Sequence, residues 1–208
     1  MHPEIEIREL SPGPRELVAN VVASGMSISP LHRVIHGAQQ PMLLSSLARG
    51  FGVALQVNQR PGLVAWLGGN AVGVLIFGIP GVCLVSGVQN AKLRQQLTEV
   101  LRPEVAERFL AWRAAWAEHD PAQPHWHLGP LAVAREQLGN GIGSALLTLF
   151  LAQVDAQAGV AYLETDTPRN AKLYARFGFE TVAEGDVLGV RCFYMLRPAQ
   201  GSARIAAS

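Results

Sequence analysis

Apolar and polar residues alternate over Ile5-Glu6-Ile7-Arg8-Glu9-Leu10, a period of two that predicts an edge strand. Ser11 stands where it can cap a helix running from about Pro14 to Ser24, so the chain opens β then α. Between Ser27 and Gly50 no period dominates. Pro30 and Pro41 fragment the stretch, Leu43, Leu44 and Leu47 suggest a short amphipathic helix, and the remainder reads as loop. No charged residue occurs between Arg60 and Lys92, but Gly68-Gly69-Asn70 and Pro80-Gly81 cut that run into pieces of strand length, Leu63 to Leu67 and Val72 to Ile79. A buried antiparallel hairpin fits this punctuation better than a membrane span. From Asn90 to Glu118 the period changes to that of a helix, with Leu93, Leu97, Val100 and Leu101 followed by Val105, Phe109, Trp112 and Trp116, and Pro103 suits the first turn of a second helix.

Asp120-Pro121-Ala122-Gln123-Pro124 is a turn-rich link into a strand from His125 to Val133. A helix from Gly141 to Gln157 and a strand from Val160 to Thr165 follow, the two strands parallel through a right-handed crossover. Asp166 or Thr167 caps the helix that Pro168 begins, and Gly178 ends it. Thr181 to Ala183 and Arg191 to Leu196 make a last strand pair, and the small, polar residues 199–208 read as a frayed tail.

At 208 residues the chain suits one well-buried domain. With 17 basic and 16 acidic residues and a net charge of +1, it carries no broad electrostatic footprint for nucleic acid or an anionic membrane. Cys83 and Cys192 lack the spacing of a metal or redox motif and read as buried thiols. The first residues have neither the basic region nor the apolar core of a signal peptide, so a cytoplasmic location is expected.

The chemistry concentrates near the C-terminus. After the apolar strand residues Leu131-Ala132-Val133 comes Leu138-Gly139-Asn140-Gly141-Ile142-Gly143-Ser144, glycines opening a helix. Unpaired first-turn amides and the helix dipole favour an anion, and small residues let it approach. Alone, such a run is as easily a plain turn. A dinucleotide fingerprint fits poorly, because Ser144 occupies the third glycine position and five residues separate Val133 from Gly139. A P-loop is excluded by the missing Gly-Lys-Ser/Thr. Downstream, Asn170 and Tyr174 stand four residues apart on one helix face, ahead of Arg176-Phe177-Gly178-Phe179. His125 and His127 share one face of their strand by alternation.

With these residues the segment from His125 to Pro198, about the C-terminal third, resembles the GNAT superfamily of acyl-CoA-dependent N-acetyltransferases. The resemblance implies an α+β fold, a mixed and mostly antiparallel sheet of six to seven strands flanked by helices, with one parallel βαβ unit at the coenzyme A site. It implies one domain over residues 1–198, with acceptor-side elements up to about residue 124 and the coenzyme-binding core from about 125. It further implies acetyl-CoA as cosubstrate, no metal, and transfer of acetyl to a primary amine, a small molecule being favoured over a peptide or lysine acceptor; a homodimer is compatible. The family's Gln/Arg-x-x-Gly-x-Gly/Ala signature falls on Leu138 to Gly143: Gly141 and Gly143 match, whereas Leu138 stands where Gln or Arg is usual and Asn140 where a basic residue is common. The amides of Gly139, Asn140, Gly141, Ile142, Gly143 and Ser144 would then hold the pyrophosphate, and Leu131, Ala132 and Val133 would pair with the pantetheine arm. Asn170-x-x-x-Tyr174-x-x-x-Gly178-Phe179 reproduces the family pattern, giving Tyr174 the role of acid toward the leaving thiolate, with Asn170 beside it. His127 is the expected general base and Glu164 its rival. A non-catalytic coenzyme A-binding module is the competing reading.

Overall fold

The computed structural model describes residues 4–11, 13, 15–37, 42–81 and 87–200. The chain runs β1 (Ile5–Glu9), α1 (Arg15–Met26), α2 (Pro30–His36), α3 (Met42–Asn58), β2 (Gly62–Leu67), β3 (Asn70–Gly78), α4 (Gly87–Val100) and α5 (Pro103–Ala117). It continues through β4 (Trp126–Val133), a 3₁₀ turn (Arg135–Gln137), α6 (Ile142–Ala156), β5 (Ala161–Thr165), α7 (Pro168–Ala175), β6 (Glu180–Val187) and β7 (Val190–Arg197). The seven strands form one sheet in the order β1-β2-β3-β4-β5-β7-β6, antiparallel throughout except for the parallel pair β4–β5. The expected mixed α+β sheet with one parallel βαβ unit is therefore present.

Strand alternation sorts side chains between two layers. Val64, Val74, Ile76, Tyr162 and Tyr194 face the layer built by α1 to α5, which supplies Val22, Leu47, Leu93, Phe109 and Trp112. Leu63, Ala65, Leu75, Phe77, Ala161, Leu163 and Met195 face α6 and α7, which supply Leu146, Phe150, Val154 and Tyr174. Helix α6 starts directly on β3 because position 73 lacks a side chain: a Cβ on Gly73 would meet Ile142 Cγ2 at 2.6 Å. The feature that shapes the site is the brevity of the parallel pairing. Strands β4 and β5 pair only at Trp126↔Ala161 and His127↔Tyr162, while β4 continues to Val133 on β3 alone. The backbone beyond His127 is thereby open toward β5.

Several local expectations are corrected. The stretch read as loop holds α2, whose N-cap Ser29 accepts a hydrogen bond from His32 N at 3.2 Å with Pro30 in the first turn; that proline starts a helix instead of breaking one. Helix α3 is not short but spans 17 residues, its interior stabilised by burial of Leu43, Leu47, Phe51 and Leu55. Asp166, expected as a cap for α7, instead accepts from Ser29 Oγ (2.5 Å) and Leu31 N (2.8 Å) and so holds the start of α2. Thr167 is the N-cap residue of α7 without a side-chain hydrogen bond. The last strand pair is a hairpin of two eight-residue strands turning on Leu188 and Gly189, both at positive φ, a turn that a leucine conceals. Gly178, at φ +86°, follows the end of α7 as expected. Cys192 is buried, and burial pushes its thiol up to about 11; Cys83 and residues 201–208 of the expected tail lie outside the described residues. Among the described residues no helix is long and apolar enough to cross a membrane.

Candidate active site

His127 sits on the last paired position of β4, and Glu164 lies two residues beyond its partner Tyr162 on β5, hence on the same sheet face. That register brings the two expected base candidates together: His127 Nε2–H donates to Glu164 Oε2 at 2.9 Å. The other ring nitrogen, Nδ1, lies 3.2 Å from Asp120 Oδ1, and that oxygen is buried with no hydrogen-bond partner among the described residues. A histidine between two carboxylates is oriented by one and electrostatically supported by the other. Asp120 escaped the sequence analysis because it reads as part of a turn-rich link. His125 donates from Nδ1 to the Gln123 carbonyl at 2.9 Å, and its ring meets Tyr162 edge-on at 5.5 Å. Asp120, His125 and His127 bring one ligand atom each within 4.8 Å of one another, a donor set able to take a divalent cation.

Asp120, His127 and Glu164 open on a cavity of about 630 Å³, within the range of small-ligand sites. Asn170 and Tyr174 of α7 also line it, as one-turn neighbours can. Tyr174 is 7% exposed and packs edge-on against Phe179 at 5.9 Å. Burial first, then the charge of Asp166, raises its phenol well above the ordinary value, so the hydroxyl keeps its proton at every physiological pH. The apolar wall is contributed by Phe51 of α3 and by Phe109, Trp112 and Trp116 of α5.

At the other edge of the βαβ unit, Gly141 is the N-cap of α6, left-handed at φ +78° and without a side-chain cap. Gly139 is also left-handed at +88°, and a Cβ at either position would meet nothing within 4 Å, so the space above the turn is open. The first-turn amides of Ile142, Gly143 and Ser144 have no intrahelical acceptor. Leu138 points outward at 45% exposure, and Asn140 Nδ2 donates to Gln137 Oε1 at 3.1 Å. Of the expected strand contacts, Leu131 lines the cavity, Val133 adjoins Gly143, and Ala132 is buried with its side chain in the core beneath α1.

Arg113 of α5 also lines the cavity and was not singled out by the apolar helical pattern around it. Burial, then the nearby charge of Arg60, lowers its proton affinity to about 10 against the pull of Glu164 and Asp120.

Comparison with known proteins bears directly on this arrangement. Residues 50–179 match the model of the acetyltransferase (GNAT) family. The fold is similar to that of a histone acetyltransferase HPA2 and related acetyltransferase from Corynebacterium glutamicum, at 22% identity over 96% of this chain and 97% of that one, TM-score 0.69. It is also similar to arylalkylamine N-acetyltransferase 2 from Aedes aegypti, at 14% identity over 94% and 99%, TM-score 0.63. Drosophila melanogaster polyamine N-acetyltransferase, which forms N-acetylagmatine, matches at 13% identity over 94% and 100%, TM-score 0.62. The family match runs from within α3 through the βαβ unit and α7, and on it the chain belongs to the GNAT acetyltransferase family.

Proposed function

We propose that this protein transfers the acetyl group of acetyl-CoA to the primary amine of a small molecule, by direct attack within a ternary complex. The observation that carries the reading is the placement of the His127–Glu164 pair and Tyr174 on one cavity, at the opening between β4 and β5. Structural similarity to enzymes named for polyamine and arylalkylamine acceptors supports an amine substrate.

In this reading the first-turn amides of α6 hold the pyrophosphate, and the stretch of β4 from Leu131 to Val133, open on its β5 side, takes the pantetheine arm as an added strand. An alkylamine titrates near 10.4 and arrives mostly protonated, so a base must act first. With Nε2–H committed to Glu164, the Nδ1 lone pair of His127 takes the ammonium proton, directly or through water. Asp120 Oδ1, which lacks a hydrogen bond of its own, accepts the N–H so formed. The freed amine attacks the thioester carbonyl; as the tetrahedral intermediate collapses the nitrogen gives up its second proton to water, the C–S bond breaks and the amide forms. Tyr174 donates to the sulfur as charge develops there. No step uses a metal.

Thiol release with acetyl-CoA and a broad amine panel tests the reading. Tyr174→Phe should lower turnover and leave acetyl-CoA affinity nearly unchanged; lost affinity with unchanged turnover would refute the acid role. Acetyl-CoA binding without thiol release on any amine would identify a coenzyme-binding module instead.

A further inference from the structure

The cavity is electrically divided. Asp120, Glu164 and Asp166 contribute acids to its wall, and Arg60, Arg94 and Arg113 contribute bases. The acids are occupied or committed. Asp166 caps α2, Glu164 accepts from His127, and Asp120 lies against the same imidazole. Arg113 is different. Among the described residues its guanidinium makes no hydrogen bond and no ion pair within 4 Å, although Glu164 and Asp120 are near enough to favour its charge. A half-buried guanidinium on the cavity wall thus keeps the N–H donors of its rigid planar fork available to a ligand.

The geometry points to an acceptor that carries a carboxylate close to its amine: we propose that Arg113 receives the carboxylate while the amine faces His127 and Asp120. Three observations converge on this class. The guanidinium fork fits a carboxylate in a bidentate manner, which a point charge would not require. Arg113, Asp120, His127 and Glu164 line the same cavity, so the anion site and the proton-accepting group are open to one small zwitterion. Phe51, Phe109, Leu110, Trp112 and Trp116 surround the rest of the space with apolar surface, suited to a hydrophobic side chain. The acceptor class is therefore an amino acid with an apolar side chain, or a close amino-carboxylate relative. This inference rests on the acetyltransferase reading above and narrows it.

The test uses the full chain, saturating acetyl-CoA and three matched acceptors: phenylalanine, its methyl ester, and 2-phenylethylamine. Charge-assisted hydrogen bonds of this kind correspond to roughly 10- to 100-fold, so kcat/KM should be higher for phenylalanine than for the other two by about that factor. Arg113→Gln should remove the preference chiefly through KM, changing the ester and the amine by less than about 3-fold, and Arg113→Lys should retain part of it. Should the variants fail to fold, 3-phenylpropionate offers a test on the native protein: it should compete with the acceptor and not with acetyl-CoA. Equal or better use of the ester or of 2-phenylethylamine by the native protein would overturn the proposal and leave the acetyltransferase reading standing. So would an equal loss on all three acceptors in Arg113→Gln, or no competition by 3-phenylpropionate. A chain that binds no acetyl-CoA in calorimetry would overturn both.

Discussion

The α6 turn and the cavity differ in what they offer a ligand. At the turn it is main-chain amides around Gly139 and Gly141, both left-handed and with open space above them. On the helical side of the cavity it is long side chains from separate elements, Arg113 from α5, Asp120 beyond its end and Phe51 from α3, meeting His127 and Glu164 from the sheet. On the proposed function, the amides would recognise what every thioester substrate shares, a diphosphate and an arm, and the side chains what differs from one acceptor to another. The division predicts that coenzyme affinity and acceptor chemistry respond to separate substitutions.

The largest effect should come where the two sides meet. His127→Asn keeps a polar side chain but removes the basic nitrogen, and Tyr174→Phe removes the donor hydroxyl. General acid–base contributions correspond to about 10²–10⁴-fold, so each should cut kcat within that range. Calorimetric affinity for acetyl-CoA should stay within about 3-fold of the native value, because neither group belongs to the α6 turn. A parallel collapse of coenzyme binding in either variant would break the division.

Acid should expose the helical side next. His32 and His36 of α2 are buried, and burial holds both down to about 3, with the charges of His32 and Arg108 adding to the effect on His36. Folded, they are neutral; unfolded, each takes a proton near 6.5. Their contribution to stability is therefore intact above pH 6.5 and is lost as pH falls toward 3, at about 1.4 kcal/mol per pH unit for each histidine. Denaturant unfolding at pH 7, 6 and 5 should show this slope, and His32→Leu, in a site where the ring meets Phe51 and Trp112 edge-on, should flatten it. A stability independent of pH over that interval would contradict the buried neutral state.

The same division explains what the sequence disclosed. The α6 turn, Asn170 and Tyr174 were legible because their geometry is local: a glycine run, a four-residue helical interval, a glycine after the helix. Most strands followed from period and punctuation, and the mixed sheet that joins them from the family resemblance. The helical side was not legible in the same way. Asp120 reads as a turn residue and Arg113 carries no signal in the apolar pattern of its helix, while Glu164, which both approach, lies 44 and 51 positions further on and is placed by the sheet register. Ser29-Pro30 was a cap and a first-turn proline, a readable signal that the two prolines of that stretch obscured. Asp166 was assigned to the helix next to it and serves one 135 residues away.

Within the α6 side, the conformation of the turn should matter more than any side chain on it. Gly141→Val has room for its Cβ, since nothing lies within 4 Å, but not the freedom to hold φ +78°. A branched residue forced into the left-handed region costs about 1–2 kcal/mol, which the turn relieves by rotating its amides away from the pyrophosphate. Acetyl-CoA should bind roughly 10-fold more weakly, while kcat at saturation and the choice among acceptors remain. A change in acceptor preference instead would mean that the two sides are mechanically joined.

The smallest and most discriminating change is Leu138→Gln, which restores the residue type usual at the head of the family signature. Leu138 is 45% exposed, so the replacement leaves no cavity and should not move the unfolding temperature. A glutamine amide there gains at most one hydrogen bond to a phosphate oxygen, about 0.5–1.5 kcal/mol, or about 2- to 10-fold in acetyl-CoA affinity. Acceptor KM should be unaffected, since the position is remote in role from Arg113 and His127. Tighter binding with unaltered acceptor kinetics would show that main-chain groups alone set the native affinity and that a side chain only adds to them. No gain at all would mean that the amides of the Gly141 turn already satisfy the diphosphate, and that the leucine at this position costs the protein nothing.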